Sequence, residues 1–167
     1  KETLGFYVTS HPLVRFGREL DALGTATCAE LADLAENTAV TIGCMVAGVR
    51  VRVTKAGRSQ GRKFAILTIE DLTGSAEAVA WSETYEPLAE VLTEDAILFI
   101  SGKVDRRREK PQVIIESAVP IDQAVAQLTG GLRLRIGQAF DPSRLKPLGE
   151  LLRQHAGRVP LDFEVAP

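Results

Sequence analysis

Apolar residues first recur at helical spacing. After Ser10-His11-Pro12 they fall at Leu13, Phe16, Leu20 and Leu23, which predicts a helix opened by Pro12 and stopped at Gly24. Thr27, followed three residues later by Glu30, has the spacing of a capping box; it predicts a short helix through Leu31 and Leu34, ended at Asn37. From Thr38 the period changes to two. Val40, Ile42, Cys44 and Val46 set one apolar face on even positions, whereas Val49, Val51 and Val53 set it on odd ones. Side chains alternate across a strand, so the phase flips near Ala47-Gly48. A β-bulge there lets one long strand bend and serve two sides of a small barrel.

A polar loop over 55–62, with Gly57 and Gly61, leads to a second strand over 63–70. The segment 71–75 reads as a hairpin connection with Gly74 available for positive φ, and a third strand follows over 76–81. Ser82 suits an N-cap for a helix over 83–92 that carries Tyr85, Leu88 and Leu92 on one stripe. Strands over 96–104 and 112–119 flank a second loop, 105–111. Three strands, a helix and two strands, with a bent first strand, is the order of an OB-fold, a five-stranded Greek-key barrel. An SH3-like barrel lacks the helix at that point.

Beyond a helical stretch at 121–128 and the Gly130-Gly131 break, a strand over 132–136, a helix opened by Asp141-Pro142 and a strand over 159–165 follow. The expected fold is therefore mainly β: a barrel with N-terminal helices and a small α+β C-terminal unit. The boundaries are a helical lead-in over 1–37, an OB-fold domain over 38–128 and the start of an α/β domain over 129–167. So small a last unit has a poor core of its own, which predicts a truncated domain or one packed on the barrel. Lys1 in place of Met predicts a piece cut from something longer.

Composition narrows the class. Of 167 residues, 45% are hydrophobic and 25% charged, which excludes long disorder. No apolar run approaches the roughly 20 residues of a membrane span, so no membrane partner is expected. Cys28, in an apparent helix, and Cys44, in an apparent strand, are too few for a disulfide framework and read as buried cytosolic thiols. His11 and His155 stand at opposite ends of the chain, and no Cys/His spacing suits zinc, so no metal site is expected.

The net charge of −2 hides an uneven distribution. Between Val40 and Ile69 there is no acidic residue, but there are Arg50, Arg52, Lys55, Arg58, Arg62 and Lys63. A second cluster holds Lys103, Arg106, Arg107, Arg108 and Lys110, broken only by Asp105 and Glu109. In an OB-fold, ligands lie across strands 2 and 3, between the loop joining strands 1 and 2 and the loop joining strands 4 and 5. The two basic clusters fall on those two loops. Strand order and charge thus point to one nucleic-acid-binding surface, with Arg58, Arg62 and Lys63 meeting phosphates from one side and Arg106, Arg107 and Arg108 from the other. Aromatic platforms are scarce: Phe64, Trp81 and Tyr85 are the candidates, and Phe64 fits the core equally well. Binding is expected to be electrostatic and salt-sensitive.

Catalysis has little support. The adjacent carboxylate pairs Glu70-Asp71 and Glu94-Asp95 point to opposite faces and border turns, which suits turns rather than two-metal chemistry. There is no P-loop, and Ser59, Ser75 and Ser82 have no histidine nearby to act as base. The segment is expected to be noncatalytic and free of cofactor.

Three runs carry a family resemblance. They are Leu4-Gly5-Phe6-Tyr7-Val8-Thr9-Ser10-His11-Pro12-Leu13, then Phe64-Ala65-Ile66-Leu67-Thr68-Ile69-Glu70-Asp71-Leu72-Thr73-Gly74-Ser75, and Glu94-Asp95-Ala96-Ile97-Leu98-Phe99-Ile100-Ser101-Gly102-Lys103-Val104-Asp105. Together they resemble the OB region of the bacterial DNA polymerase III alpha subunit, over 2–124, and 132–165 is similar to the start of that family's C-terminal domain. The loop at 55–63 departs from the family by the extra Gln60-Gly61-Arg62. The resemblance implies a replicative, Mg2+-dependent DNA polymerase as parent, with its catalytic palm and phosphoesterase-like domain upstream. It implies a cytoplasmic, nucleoid-associated setting, and an OB module that holds single-stranded template. It also implies the clamp loader tau subunit and the sliding clamp as partners, although Gln138-Ala139-Phe140 is too short for a clamp-binding motif. The nucleic-acid-binding set is then Arg50, Arg52, Lys55, Arg58, Arg62, Lys63, Phe64, Arg106, Arg107, Arg108 and Lys110. The alternative is a protein-docking module for tau or neighbouring polymerase domains. The anticodon-binding OB domain of a tRNA synthetase is a further reading, and it predicts stronger aromatic platforms.

Overall fold

The computed structural model describes residues 11–57 and 59–165. Most of the Leu4–Leu13 run and Arg58 lie outside the described residues. The chain divides into two compact units, 1–127 and 128–167.

The first unit is a closed barrel of order β1-β2-β3-β5-β4. Its strands are β1 (Ala39–Val53), β2 (Lys63–Glu70), β3 (Ser75–Ala80), β4 (Ile97–Asp105) and β5 (Gln112–Pro120). β1 is a single strand of 15 residues. Ala39–Met45 pairs with β4, and Met45–Val53 pairs with β2. The register slips between Val46 and Gly48, so Ala47 is the bulged residue that the phase flip predicts. β3 and β5 close the barrel in parallel, Glu77 opposite Gln112 and Val79 opposite Ile114. The interior is filled by Ile42, Cys44 and Val46 of β1, Leu67 and Ile69 of β2, Ile100 of β4 and Ile115 of β5, all buried.

Helices sit at the margins. The lead-in opens as a 3-10 segment, Pro12–Phe16, whose Leu13 N–H donates to His11 Nδ1 at 3.2 Å. It passes into α1 (Gly17–Leu23), which Gly24 ends. The sequence predicts one continuous helix here; Gly17 interrupts the helical propensity where the geometry changes. Leu20 of α1 packs over Gly43 and Phe99: a Cβ on Gly43 would lie 2.2 Å from Leu20 Cδ2. The Thr27–Glu30 capping bonds form, at 2.8 Å from Thr27 N to Glu30 Oε2, but the helix they open is only a 3-10 turn, Glu30–Ala32. Cys28 therefore lies in a turn rather than a helix, buried as expected, and burial beside Asp71 pushes its thiol up to about 12. α2 (Ser82–Leu88) is shorter than its apolar stripe predicts, and Trp81 rather than Ser82 holds the N-cap position. Pro87 occupies its last turn and cannot donate an N–H to a continuing helix. α3 (Ile121–Leu128) follows β5 and buries Ile121 and Ala124.

The β2–β3 hairpin differs from expectation in its chemistry. Gly74 does not adopt positive φ. Instead the Asp71 carboxylate accepts from Thr73 N (2.7 Å), Thr73 Oγ1 (2.7 Å) and Gly74 N (3.0 Å), and from Cys28 N of the lead-in at 2.6 Å. One side chain thus shapes the turn and ties the lead-in to the barrel. Burial opposes its ionisation, but these donors outweigh it, and the carboxyl titrates below its ordinary value. Asp71→Asn puts an NH2 where one of these acceptors stood, so it is expected to cost about 1–2 kcal/mol, a charged hydrogen-bond range reduced by partial exposure. A depressed pKa stabilises the fold above the unfolded-state pKa and is lost as pH falls through the folded one. Urea midpoints measured from about pH 5 to 3 should therefore fall more steeply for the native chain than for Asp71→Asn.

In the second unit, β6 (Leu132–Ile136) and β7 (Leu161–Val165) pair in parallel, Leu132 opposite Leu161. Between them Asp141 accepts from Ser143 N at 2.9 Å and opens a 3-10 turn, Pro142–Arg144, that leads into α4 (Leu145–Gln154).

Candidate nucleic-acid interface

Alternation on β2 sends Ala65, Leu67 and Ile69 inward, so Phe64, Ile66 and Thr68 face out. Cross-strand register places Arg52 beside Phe64 and Arg50 beside Ile66, with Val79 on the far side of Ile66 and Ile114 beyond it. Val79 is 1% exposed yet lies outside the barrel's interior cluster, so the middle of the outer face is an apolar row. Phe64 resolves its two possibilities in favour of the surface. Its ring packs on Trp81, centroids 5.1 Å apart and planes tilted by 31°, and Trp81 is 43% exposed.

The two basic loops border this face at opposite ends of β3. In the β1–β2 loop, Thr54, Ala56 and Ser59 line a small pocket with Trp81 and Ser82. In the β4–β5 loop, Lys110 and Pro111 line another with Ser75 and Glu77. Four residue steps lead from Glu77 to Trp81, about 13 Å at ordinary strand rise. The first loop depends on two glycines, Gly57 (φ 84°) and Gly61 (φ 82°). Gly61 N–H donates to Thr54 O at 2.9 Å, so the extra Gln60-Gly61-Arg62 includes the residue that closes the hairpin.

The cations of the predicted set fall into two groups. Arg52 beside Phe64, Lys55 and Lys63 in one pocket with Arg52, and Arg108 and Lys110 at the other end engage no acidic group among the described residues. The others are engaged. Arg62 is held by Glu86 through two bonds, at 3.0 and 2.8 Å, with Glu83 at 3.9 Å, and these carboxylates push its pKa up. Arg50 reaches across β2 to Glu77 at 2.6 Å. Arg106 donates from one nitrogen to the carbonyls of Ala32 and Leu34, both at 2.7 Å, and so anchors the lead-in. Arg107 binds Asp105 at 2.8 and 3.0 Å. Arg107 and Gln112 hold the buried Asp105 carboxyl well below the usual range. The geometry thus brings together Arg52, Lys55, Lys63 and Phe64, and turns Arg50, Arg62, Arg106 and Arg107 to other partners. Sequence reasoning missed Glu77 and the row Ile66–Val79–Ile114; the period-two pattern of β2 held the signal for Ile66.

Among the described residues the carboxylates are dispersed or held by other donors. Asp71, Asp105 and Glu86 are committed to the donors above, and among the described residues no group of three or more His, Cys, Asp or Glu converges. No helix among them is long and apolar enough to cross a membrane.

A family model described as an OB-fold nucleic acid binding domain, of the tRNA anticodon type, matches residues 40–121. The chain is 31% identical over 158 residues to the DNA polymerase III subunit alpha of Bacillus subtilis, covering 94% of this chain and 14% of that one. It is 30% identical over 173 residues to the same subunit of Saccharopolyspora erythraea, covering 99% and 14%. It therefore spans about one seventh of the length of these curated relatives. The crystal structure of asparaginyl-tRNA synthetase from Pyrococcus horikoshii aligns with 57% of this chain and 22% of that one, at 25% identity and a TM-score of 0.44.

Proposed function

We propose that the chain, an OB-fold nucleic-acid-binding domain related to the OB region of bacterial DNA polymerase III alpha subunits, holds single-stranded DNA without acting on it chemically. One observation carries this reading: among the described residues the unpaired Arg52 stands beside Phe64 of the Phe64–Trp81 pair and shares a pocket with the unpaired Lys55 and Lys63, at one end of a face whose other end bears Arg108 and Lys110. Unpaired cations suit phosphates, and an exposed ring suits base faces that a duplex keeps stacked. A purely protein-docking module leaves those cations without a purpose. Within a replicative polymerase, such a grip holds template beside a catalytic centre elsewhere in the polypeptide, at the bacterial nucleoid.

Titration of a labelled oligo-thymidine, with anisotropy as readout at about 50 and 200 mM salt, tests the reading. Single strands should bind more tightly than duplex of equal length. Log K should fall linearly with log salt, with a slope of up to roughly −3.5 if all the unpaired cations meet phosphate. Equal affinity for duplex, or no binding at the lower salt, would overturn it.

A further inference from the structure

Two acidic side chains lie on the same path as the unpaired cations. Glu77 faces outward on β3, beside Thr68 of β2. To reach it, Arg50 of β1 extends over the outer surface of β2, and the pair closes at 2.6 Å with both side chains about half exposed. At the aromatic end, Glu86 takes both arms of Arg62 at 3.0 and 2.8 Å. Each carboxylate offers a guanidinium two anionic oxygens that accept in parallel, as the two non-bridging oxygens of a phosphodiester would. Exposed ion pairs of this kind add little to stability, so a structural role gives little reason for them. Their position gives another. A strand crossing this face must either displace the carboxylates or pass over arginines that are already occupied.

We propose that Glu77 and Glu86 limit the grip: by occupying Arg50 and Arg62 they hold affinity for single-stranded DNA down and keep release fast. The inference rests on the single-strand reading above and concerns residues that reading leaves unused. A strand that must move through the site needs contacts that let go, and intramolecular anions that reclaim the arginines supply the competition.

The experiment compares the native chain with Glu77→Gln/Glu86→Gln, using oligo-thymidine titrations across a salt series and stopped-flow dissociation. Releasing two arginines should steepen the slope of log K against log salt by roughly 1.4, raise affinity at low salt by tenfold or more and slow dissociation in proportion. A charge-matched control, Glu90→Gln/Glu94→Gln, removes two exposed acidic groups that hold no arginine. It should shift affinity far less. Adding Arg50→Ala/Arg62→Ala to the first variant should cancel its gain, whereas the same pair in the native background should change little. An unchanged slope in the glutamine variant, an equal gain in the control, or a gain that survives loss of both arginines would overturn the inference while native binding stands. Binding by neither the native chain nor the glutamine variant would remove both readings. Binding gained only by the variant would support the masking.

Discussion

Gly102→Ala is expected to destabilise the barrel by more than about 3 kcal/mol, beyond the usual cost of forcing one methyl group into a packed core. Gly102 sits where the β4–β5 register slips, next to Ser101. A Cβ there would lie 2.1 Å from the carbonyl oxygen of Ile114, 2.9 Å from its carbon and 3.1 Å from Val113 Cγ1. The first two are backbone atoms of the paired strand and cannot swing aside as a side-chain end can. β5 has to move, and β5 closes the barrel against β3. Ile114 also belongs to the apolar row of the outer face, so the displacement reaches the proposed binding surface. Gly48→Ala is the control. It lies beside the bulge of β1 with nothing within 4 Å of its Cβ position, and should change stability by less than about 1 kcal/mol. Urea unfolding of the two variants measures the difference. Comparable midpoints would mean that the β4–β5 ladder tolerates a side chain where the geometry leaves no space.

Arg52→Ala/Lys55→Ala/Lys63→Ala should produce the largest loss of DNA binding. Each phosphate contact on a single strand contributes about 0.7 to the salt slope, so three lost contacts flatten it by roughly 2. If native and variant lines meet near 1 M salt, affinity at about 50 mM falls by two to three orders of magnitude. Arg106→Ala/Arg107→Ala removes a comparable amount of charge from residues already bound to Ala32, Leu34 and Asp105. It should leave the slope nearly unchanged and lower stability instead, because the lead-in loses its anchor and Asp105 is left buried without its cation. Anisotropy and thermal melting of both variants separate the effects. A slope that flattens with the second variant and not the first would place the phosphate path along the β4–β5 loop.

The fold was legible in this chain because period-two alternation is a local signal. The even-to-odd change across Ala47-Gly48 reports the bulge directly, and the five strands follow in order. The lead-in was less legible, since the 3-10 geometry around the buried Leu13 goes with packing against β1, a tertiary contact. In the site, the placement of the basic loops could be read from strand order, but the state of each arginine could not. Arg62 meets Glu86 24 positions away, and Arg106 meets carbonyls 72 and 74 positions away. Such partners are chosen by tertiary structure, and no spacing in the sequence marks them. The β2–β3 turn has the same origin: Asp71 reaches Cys28, 43 positions away, so an acceptor does what glycine conformation was expected to do.

Trp81 is the one tryptophan of the chain, and it stands half exposed against Phe64 at the edge of the proposed path. The molecule therefore carries an unlabelled optical probe at the place of interest. Its emission arises from one indole and one neighbourhood, so quenching by an arriving base is not averaged over other fluorophores of the same kind. The same intensity and colour, followed in denaturant, would report the opening of the first unit and remain silent about the second.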